Sequence, residues 1–216
     1  MKKIVLIGAS GYVGSAILNE ALNRGHLVTA VVRHPEKITT IHKNLIVKQG
    51  DVSSDETLTE ICKDADAVIS AYNPGWMNPK IYEDTLSIYP KILEGVKKSG
   101  VKRFLVVGGA GSLFVSPGIR LMDSGALPEA YMPGVKSLAL FLLEILSKEK
   151  VLDWVFFSPA GILEPGIRTN KFRLGKDDLI VDEKGESKIS IQDYAVAMID
   201  ELENPAHHRE RFTIGY

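Results

Sequence analysis

The sequence predicts an α/β fold: a doubly wound parallel sheet in three layers, with helices on both faces and a small C-terminal subdomain. Short apolar runs alternate with amphipathic segments from the first residues onward, the pattern of parallel strands joined by crossover helices. Several of these runs are apolar on successive residues, as strands covered on both faces must be. Of the 216 residues, 45% are apolar and 25% charged, ample for a sizeable core.

The predicted strands are Lys3–Ile7, Leu27–Val32, Leu45–Lys48, Ala67–Ser70, Phe104–Val107 and Trp154–Phe157. A first helix is predicted from Tyr12 to Arg24, with Val13, Ile17 and Ala21 at i, i+4 spacing and Gly25 as its stop. A second follows the capping candidates Ser54 and Asp55 and turns Leu58, Ile61 and Cys62 inward. The third runs from Pro79 to Lys98, the fourth from Pro133 to Lys148, and the last follows Ser190 and stops before Pro205. Gly108–Gly134, rich in Gly, Pro and Ser, predicts a long functional loop. Gly166–Ser190 predicts short strands around a turn at Glu183–Gly185, and Arg211–Tyr216 a final strand. No repeat or linker-like tract interrupts the chain, so a single domain over residues 1–216 is expected.

A net charge of −1 argues against a surface built to coat nucleic acid or acidic lipid. A single cysteine, Cys62, forms no internal disulfide and falls on the apolar side of its helix. The apolar run after Lys3 breaks at Gly8, too soon for a signal peptide, and Leu138–Leu143 stops at Glu144, short of a membrane span. The expected setting is cytoplasmic, with a small-molecule substrate and no nucleic-acid or membrane partner. His207, His208 and Glu210 lack a paired ligand at helical spacing and read as solvated, so no metal site is predicted. Asp177, Asp178, Asp182 and Glu183 read as solvated turn charges, and Trp154 and Tyr194 as core.

The strongest motif is Gly8-Ala9-Ser10-Gly11-Tyr12-Val13-Gly14, directly after the first strand and opening the first helix. Gly8 allows a tight turn, Gly11 a close approach of backbone to a diphosphate, and Gly14 close packing of helix on strand. The helix N-terminus adds free N–H groups and a partial positive charge. The spacing is GxxGxxG rather than GxGxxG, but its strand–turn–helix context marks a Rossmann dinucleotide site. At the end of the second strand, where an acid would accept the ribose 2′-hydroxyl of NAD, stand Arg33 and His34. A guanidinium pairs with a 2′-phosphate, so NADP(H) is preferred, with NAD(H) as the alternative. Asp51 and Val52, after the third strand, fall where adenine would lie. Ala71, Tyr72 and Asn73, then Gly108, Gly109 and Ala110, occupy the carboxyl ends of the next two strands, where open α/β sheets bind ligands.

With these residues assembled, the chain resembles the short-chain dehydrogenase/reductase superfamily in its atypical NAD(P)H-binding branch. That branch includes NmrA-like proteins, NADH-flavin reductases and biliverdin reductase B, and such sequences often carry the label NAD-dependent epimerase/dehydratase. The resemblance rests on GASGYVG (8–14), VVGGAGSL (106–113), DWVFFSPAGILEPG (153–166), SIQDYAVAMIDELENP (190–205) and RFTIGY (211–216). It implies that Ser158, Pro159 and Ala160 lie near the nicotinamide and that Ser112 takes the place of the catalytic serine. It also implies a YxxxK pair, tyrosine as acid/base and lysine on the ribose. Here the candidates, Tyr131 and Lys136, are spaced YxxxxK, with Tyr131 in a loop before Pro133. Residues i and i+5 do not share a helix face, so only Lys136 keeps its expected role, on the cofactor ribose.

The leading functional expectation is an NADPH-dependent reductase of a flavin, quinone or small carbonyl compound, its pocket formed by Leu113, Phe114, Leu121 and Met122 and its proton delivered by Ser112, Tyr131 or solvent. Trp76 and Met77 are core packing or a substrate-facing wall. A non-catalytic NADP(H)-sensing module is the second expectation, favoured by the broken Tyr–Lys spacing. A sugar-nucleotide epimerase or dehydratase is the third, with only residues 158–216 left for a substrate subdomain.

Overall fold

The computed structural model describes all 216 residues, Met1–Tyr216. In chain order it forms β1 (Lys3–Ile7), α1 (Tyr12–Asn23), β2 (Leu27–Val32), β3 (Leu45–Gln49), α2 (Asp55–Cys62), β4 (Ala67–Ser70), α3 (Ile81–Lys98) and β5 (Arg103–Val107). There follow a hairpin of β6 (Phe114–Ser116) and β7 (Ile119–Arg120), then α4 (Met132–Leu140), β8 (Asp153–Ser158), β9 (Ile162–Glu164), β10 (Arg173–Gly175), β11 (Lys188–Ser190), α5 (Ile191–Glu203) and β12 (Glu210–Gly215). Eight strands make one sheet in the order β10-β12-β8-β5-β4-β1-β2-β3. Only β10 runs antiparallel to its neighbour.

The apolar runs are buried on both faces, as their continuous hydrophobicity predicts, except Leu45–Lys48: β3 is an edge strand with Ile46 exposed and no residue fully buried. In β1, Ile4 and Leu6 join a core of 25 buried residues shared with α1 and α5, whereas Val5 and Ile7 join a core of 20 on the other face with α2, α3 and α4. Strand β8 divides likewise, Val155 and Phe157 to one side and Trp154 and Phe156 to the other. Cys62, Trp154 and Tyr194 are core residues, as expected.

Helix boundaries follow the capping chemistry. Ser54 Oγ accepts from the Thr57 N–H to start α2, and Ser190 Oγ from the Asp193 N–H to start α5. Pro79 falls in the turn before α3 rather than inside its first turn. The predicted fourth helix is composite: α4 passes into a π-helical turn at Phe141–Ile145 and a 3₁₀ turn at Leu146–Lys148. With the 3₁₀ turn Glu129–Tyr131 before it, this 20-residue segment is long and apolar enough to cross a membrane by length and composition, contrary to the short run read in the sequence. Its Phe141, Leu142 and Leu146 are buried in the core of the helix-covered sheet. Of the segment expected to form a C-terminal subdomain, only the β9–β11 pair lies outside the main sheet; β10 and β12 extend it and α5 covers it.

The C-terminal segment is tied down by one carboxylate. Asp193, fully buried in the first turn of α5, accepts from the Thr169 N–H (2.9 Å), the Asn170 N–H (2.8 Å), the Thr169 hydroxyl (2.5 Å) and the Tyr216 hydroxyl (2.8 Å). Burial pushes its carboxyl upward, but the Thr169, Asn170 and Tyr216 donors outweigh it and hold it below the ordinary 3.8. A lowered folded value means that the stability is fully present above pH 3.8 and is lost as pH falls through the folded value. Urea unfolding should therefore show a midpoint that drops on acidification below that range. Asp193→Ala should lower stability by roughly 3 kcal/mol at neutral pH and flatten this acid dependence. An unchanged acid profile in the variant would assign the effect to other groups.

Candidate functional site

Because β1, β2, β3, β4, β5, β8 and β12 run parallel, their carboxyl ends share one edge. The chain winds outward from β1 through β2 to β3, then returns to β4 and winds the other way, so the reversal lies between β1 and β4, where doubly wound sheets open a crevice. The turns after these strands meet there. Gly8 has φ +78°, and a Cβ on it would lie 2.5 Å from the Ala71 carbonyl oxygen. A Cβ on Gly14 would lie 2.1 Å from the Gly8 oxygen, so only glycine lets α1 seat on the turn.

The N-terminus of α1 is left open. Its N-cap is Gly11, with no side-chain cap and no acid in the first turn. By contrast, α2 and α5 are each capped by serine, with an acid in the first turn. Ser10, Gly11 and Tyr12 are exposed around this end, whereas Ala9 is fully buried in the core. Uncapped amides, partial positive charge and a cradle with no room for a Cβ fit the diphosphate of a dinucleotide.

Arg33 and His34 project from the end of β2. The Arg33 guanidinium forms no ion pair, and only its backbone carbonyl is engaged, by Gln49. His34 Nδ1 lies 3.2 Å from Glu36, which turns it toward its own 3₁₀ turn. Asp51 accepts from the Ser53 N–H at 2.9 Å, and this turn, aided by the charges of Arg33 and Lys91, holds its carboxyl below the ordinary range. Asp51 is exposed, and the Val52 side chain is buried in the core. After β4, Asn73 Oδ1 accepts from the Gly75 N–H. Tyr72 is half-buried edge-on against Tyr89, and burial, then the Asp84 charge, pushes its phenol up to about 12.

On the other side of the reversal, Gly108, Gly109 and Ala110 are half-buried, and a Cβ on Gly108 would lie 2.4 Å from the Phe156 ring. Ser112 is buried, and its carbonyl and hydroxyl oxygens each accept at 2.9 Å from Arg211 Nη1. Arg211, on β12, is held in turn by Asp177. At the end of β8, Ser158 Oγ is buried without a partner, while Pro159 and Ala160 are buried. The Tyr–Lys pair of the superfamily is absent, in keeping with the YxxxxK spacing. Tyr131 is the last residue of a 3₁₀ turn running straight into α4, not part of an irregular loop, and its ring meets Trp76 edge-on at 5.5 Å. Lys136 lies exposed in α4, its ammonium free of ion pairs, five positions from Tyr131 and so on another face.

Several expectations change. Leu113 and Leu121 are buried and cannot line a pocket; Phe114 and Met122 remain half-buried. Trp76 packs against Gly134, where a Cβ would lie 2.8 Å from its ring, and stays half-exposed, whereas Met77 is almost fully exposed and is not core. His207 is not solvated, because its Nδ1 pairs with buried Glu201 at 2.8 Å and its ring stacks on Phe212; His208 pairs with Asp153 at 3.0 Å. Asp177 is likewise paired rather than free, and Asp182 accepts the amides of its own turn. Arg211 escaped the sequence reading. A cation heading an otherwise apolar final strand was the available signal.

A family model described as NAD(P)H-binding matches residues 8–205, from the first glycine to Pro205, just past the end of α5. The chain belongs to this NAD(P)H-binding family. It is similar to the uncharacterized protein YwnB of Bacillus subtilis (strain 168), 40% identical over 215 residues that cover 98% of this chain and 97% of that one. Among solved structures it is similar to a Bacteroides thetaiotaomicron protein provisionally called an epimerase, with 65% identity, a TM-score of 0.95 and coverage of 100% and 97%. A Streptococcus pneumoniae TIGR4 protein provisionally called an NADH-flavin reductase matches at 35% identity and TM-score 0.82, covering 100% and 99%. The resemblance drawn from the sequence and the Rossmann fold both stand, and the open end of α1 belongs to an NAD(P)H-binding member.

Proposed function

We propose that this protein is an NADPH-dependent reductase of a flavin, quinone or small carbonyl compound, working in the cytoplasm. The observation that carries the cofactor choice is Arg33, an exposed guanidinium without an ion-pair partner at the end of β2, where an NAD site needs a carboxylate. When bound, the cofactor supplies a hydride. The chain's own part is to hold it: the α1 amides and Gly8–Gly14 on the diphosphate, Arg33 on the 2′-phosphate, Asp51 beside the adenine and Lys136 on the ribose. Ser112 keeps a free proton, since its oxygen accepts from Arg211. That hydroxyl is suited to polarise the acceptor, with the half-exposed Tyr131 or solvent delivering the proton. The flavin-reductase name of the Streptococcus relative supports this acceptor class.

The separation of Tyr131 from Lys136 favours a second reading, a cofactor-sensing module without turnover. It weighs equally against an epimerase that relies on that pair. Spectrophotometric assay with NADPH and a panel of flavins, quinones and aldehydes distinguishes them. Acceptor-dependent NADPH oxidation is the expected result; tight NADPH binding with no oxidation by any acceptor would transfer the protein to the sensing role.

A further inference from the structure

We propose that Arg120 is the anchor for an oxyanion, a phosphate or a carboxylate, carried by the acceptor substrate. This rests on the reductase reading and adds the charge of the substrate to it.

Eight arginines are present, and nearly all have an evident task. Arg24, Arg103, Arg168 and Arg211 pair with carboxylates. Arg173 donates to the carbonyls of Val181 and Tyr216. Arg33 is assigned to the cofactor, and Arg209 is exposed just before β12, at the opposite edge of the sheet from the crevice. Arg120 differs from all of these. It is only partly exposed, its Nε is buried with no hydrogen-bond partner, as is that of Arg103, but unlike Arg103 its guanidinium enters no ion pair. It lies over the Phe114 ring, 5.3 Å from the centroid. A ring face holds a cation without using any of its N–H donors, so the planar fork of the guanidinium stays available.

The hairpin places it beside the reacting groups. Arg120 pairs with Phe114 across β6–β7, and the next residue, Leu121, donates its N–H to the Leu113 oxygen at 2.8 Å. Ser112 is therefore one residue from the anchored end of this hairpin. Arg211 brings a second cation to Ser112, but Asp177 satisfies that one. Asp123, three residues on, and Asp178, bridged through its backbone to Phe114, join no ion pair and leave Arg120 unmatched. A partly desolvated guanidinium, held on an aromatic face in the hairpin that follows Ser112 and lacking an anion, matches the fork geometry of a phosphate or carboxylate.

The test uses two pairs of ligands alike except for the anion: FMN against riboflavin for phosphate, and 4-carboxybenzaldehyde against benzaldehyde for carboxylate. Each is titrated calorimetrically into NADP⁺-saturated full-length protein, wild type, Arg120→Lys and Arg120→Gln. The wild type should bind the charged member of at least one pair about tenfold or more tightly than the neutral one. Which pair shows the preference names the anion. Arg120→Gln should abolish the preference and leave neutral-ligand and NADPH affinity unchanged, with Arg120→Lys in between. No preference in either pair, or an equal loss for charged and neutral ligands in Arg120→Gln, overturns the anchor while the reductase reading survives. Failure of NADPH itself to bind would instead remove the reading beneath it. Because the Arg120 side chain makes no hydrogen bond or ion pair and the variants lose only its contact with the Phe114 ring, their thermal midpoints should stay close to that of the wild type, separating a binding loss from unfolding.

Discussion

Arg33→Asp is expected to weaken NADPH binding by about a hundredfold while changing NADH binding by less than about threefold. A guanidinium on a phosphate gives charge-assisted hydrogen bonds of about 1.5–3 kcal/mol, and a carboxylate in its place adds repulsion. The wild-type side chain forms no ion pair, so the fold loses nothing when it is replaced. Thermal unfolding should confirm this, and parallel titrations with the two cofactors read the discrimination. A loss equal for both would detach the 2′-phosphate from Arg33 and make its neighbour His34 the next candidate.

Gly14→Ala should have the larger structural effect, a loss of about 3 kcal/mol together with loss of dinucleotide binding. Its methyl would lie 2.1 Å from the Gly8 oxygen and 2.9 Å from the Gly8 carbonyl carbon, both backbone atoms that cannot swing aside. Helix α1 would have to lift from β1, and the Gly8 turn rests in turn on Ala71, so the crevice would open along with the helix. Urea unfolding and a cofactor titration check both parts. Unaltered stability with full binding would mean that the turn has slack that the close contact denies.

The centre of the main sheet was legible because β1, β2, β4, β5 and β8 are covered on both faces and read as continuous apolar runs, whereas the edge strands β3 and β10 are largely exposed. Ser54 and Ser190 announced two helix starts through local side-chain chemistry. What escaped was long-range or marginal in length. Strands β9 and β11 have three residues each, too few to show a period, and β10 is recognisable as an edge strand only through its antiparallel pairing with β12. The break of α4 into a π turn left the i, i+4 pattern of Leu138 and Leu142 unchanged, so nothing in the spacing signalled it. At the site, the glycine turn and Arg33 could be read because strand ends are local features. The bond between Ser112 and Arg211 spans 99 residues and exists only once β12 is laid beside β8. The same applies to His207, whose partner Glu201 lies beyond the Pro205 turn and whose ring is covered by Phe212.

The most direct measurement is a calorimetric titration of the purified protein with NADPH and, separately, with NADH. NADPH should bind one site per chain and at least about tenfold more tightly than NADH, a difference of about 1.4 kcal/mol. Binding of neither cofactor would reduce the open end of α1 and the Gly8–Gly14 cradle to packing features and contradict the reductase assignment.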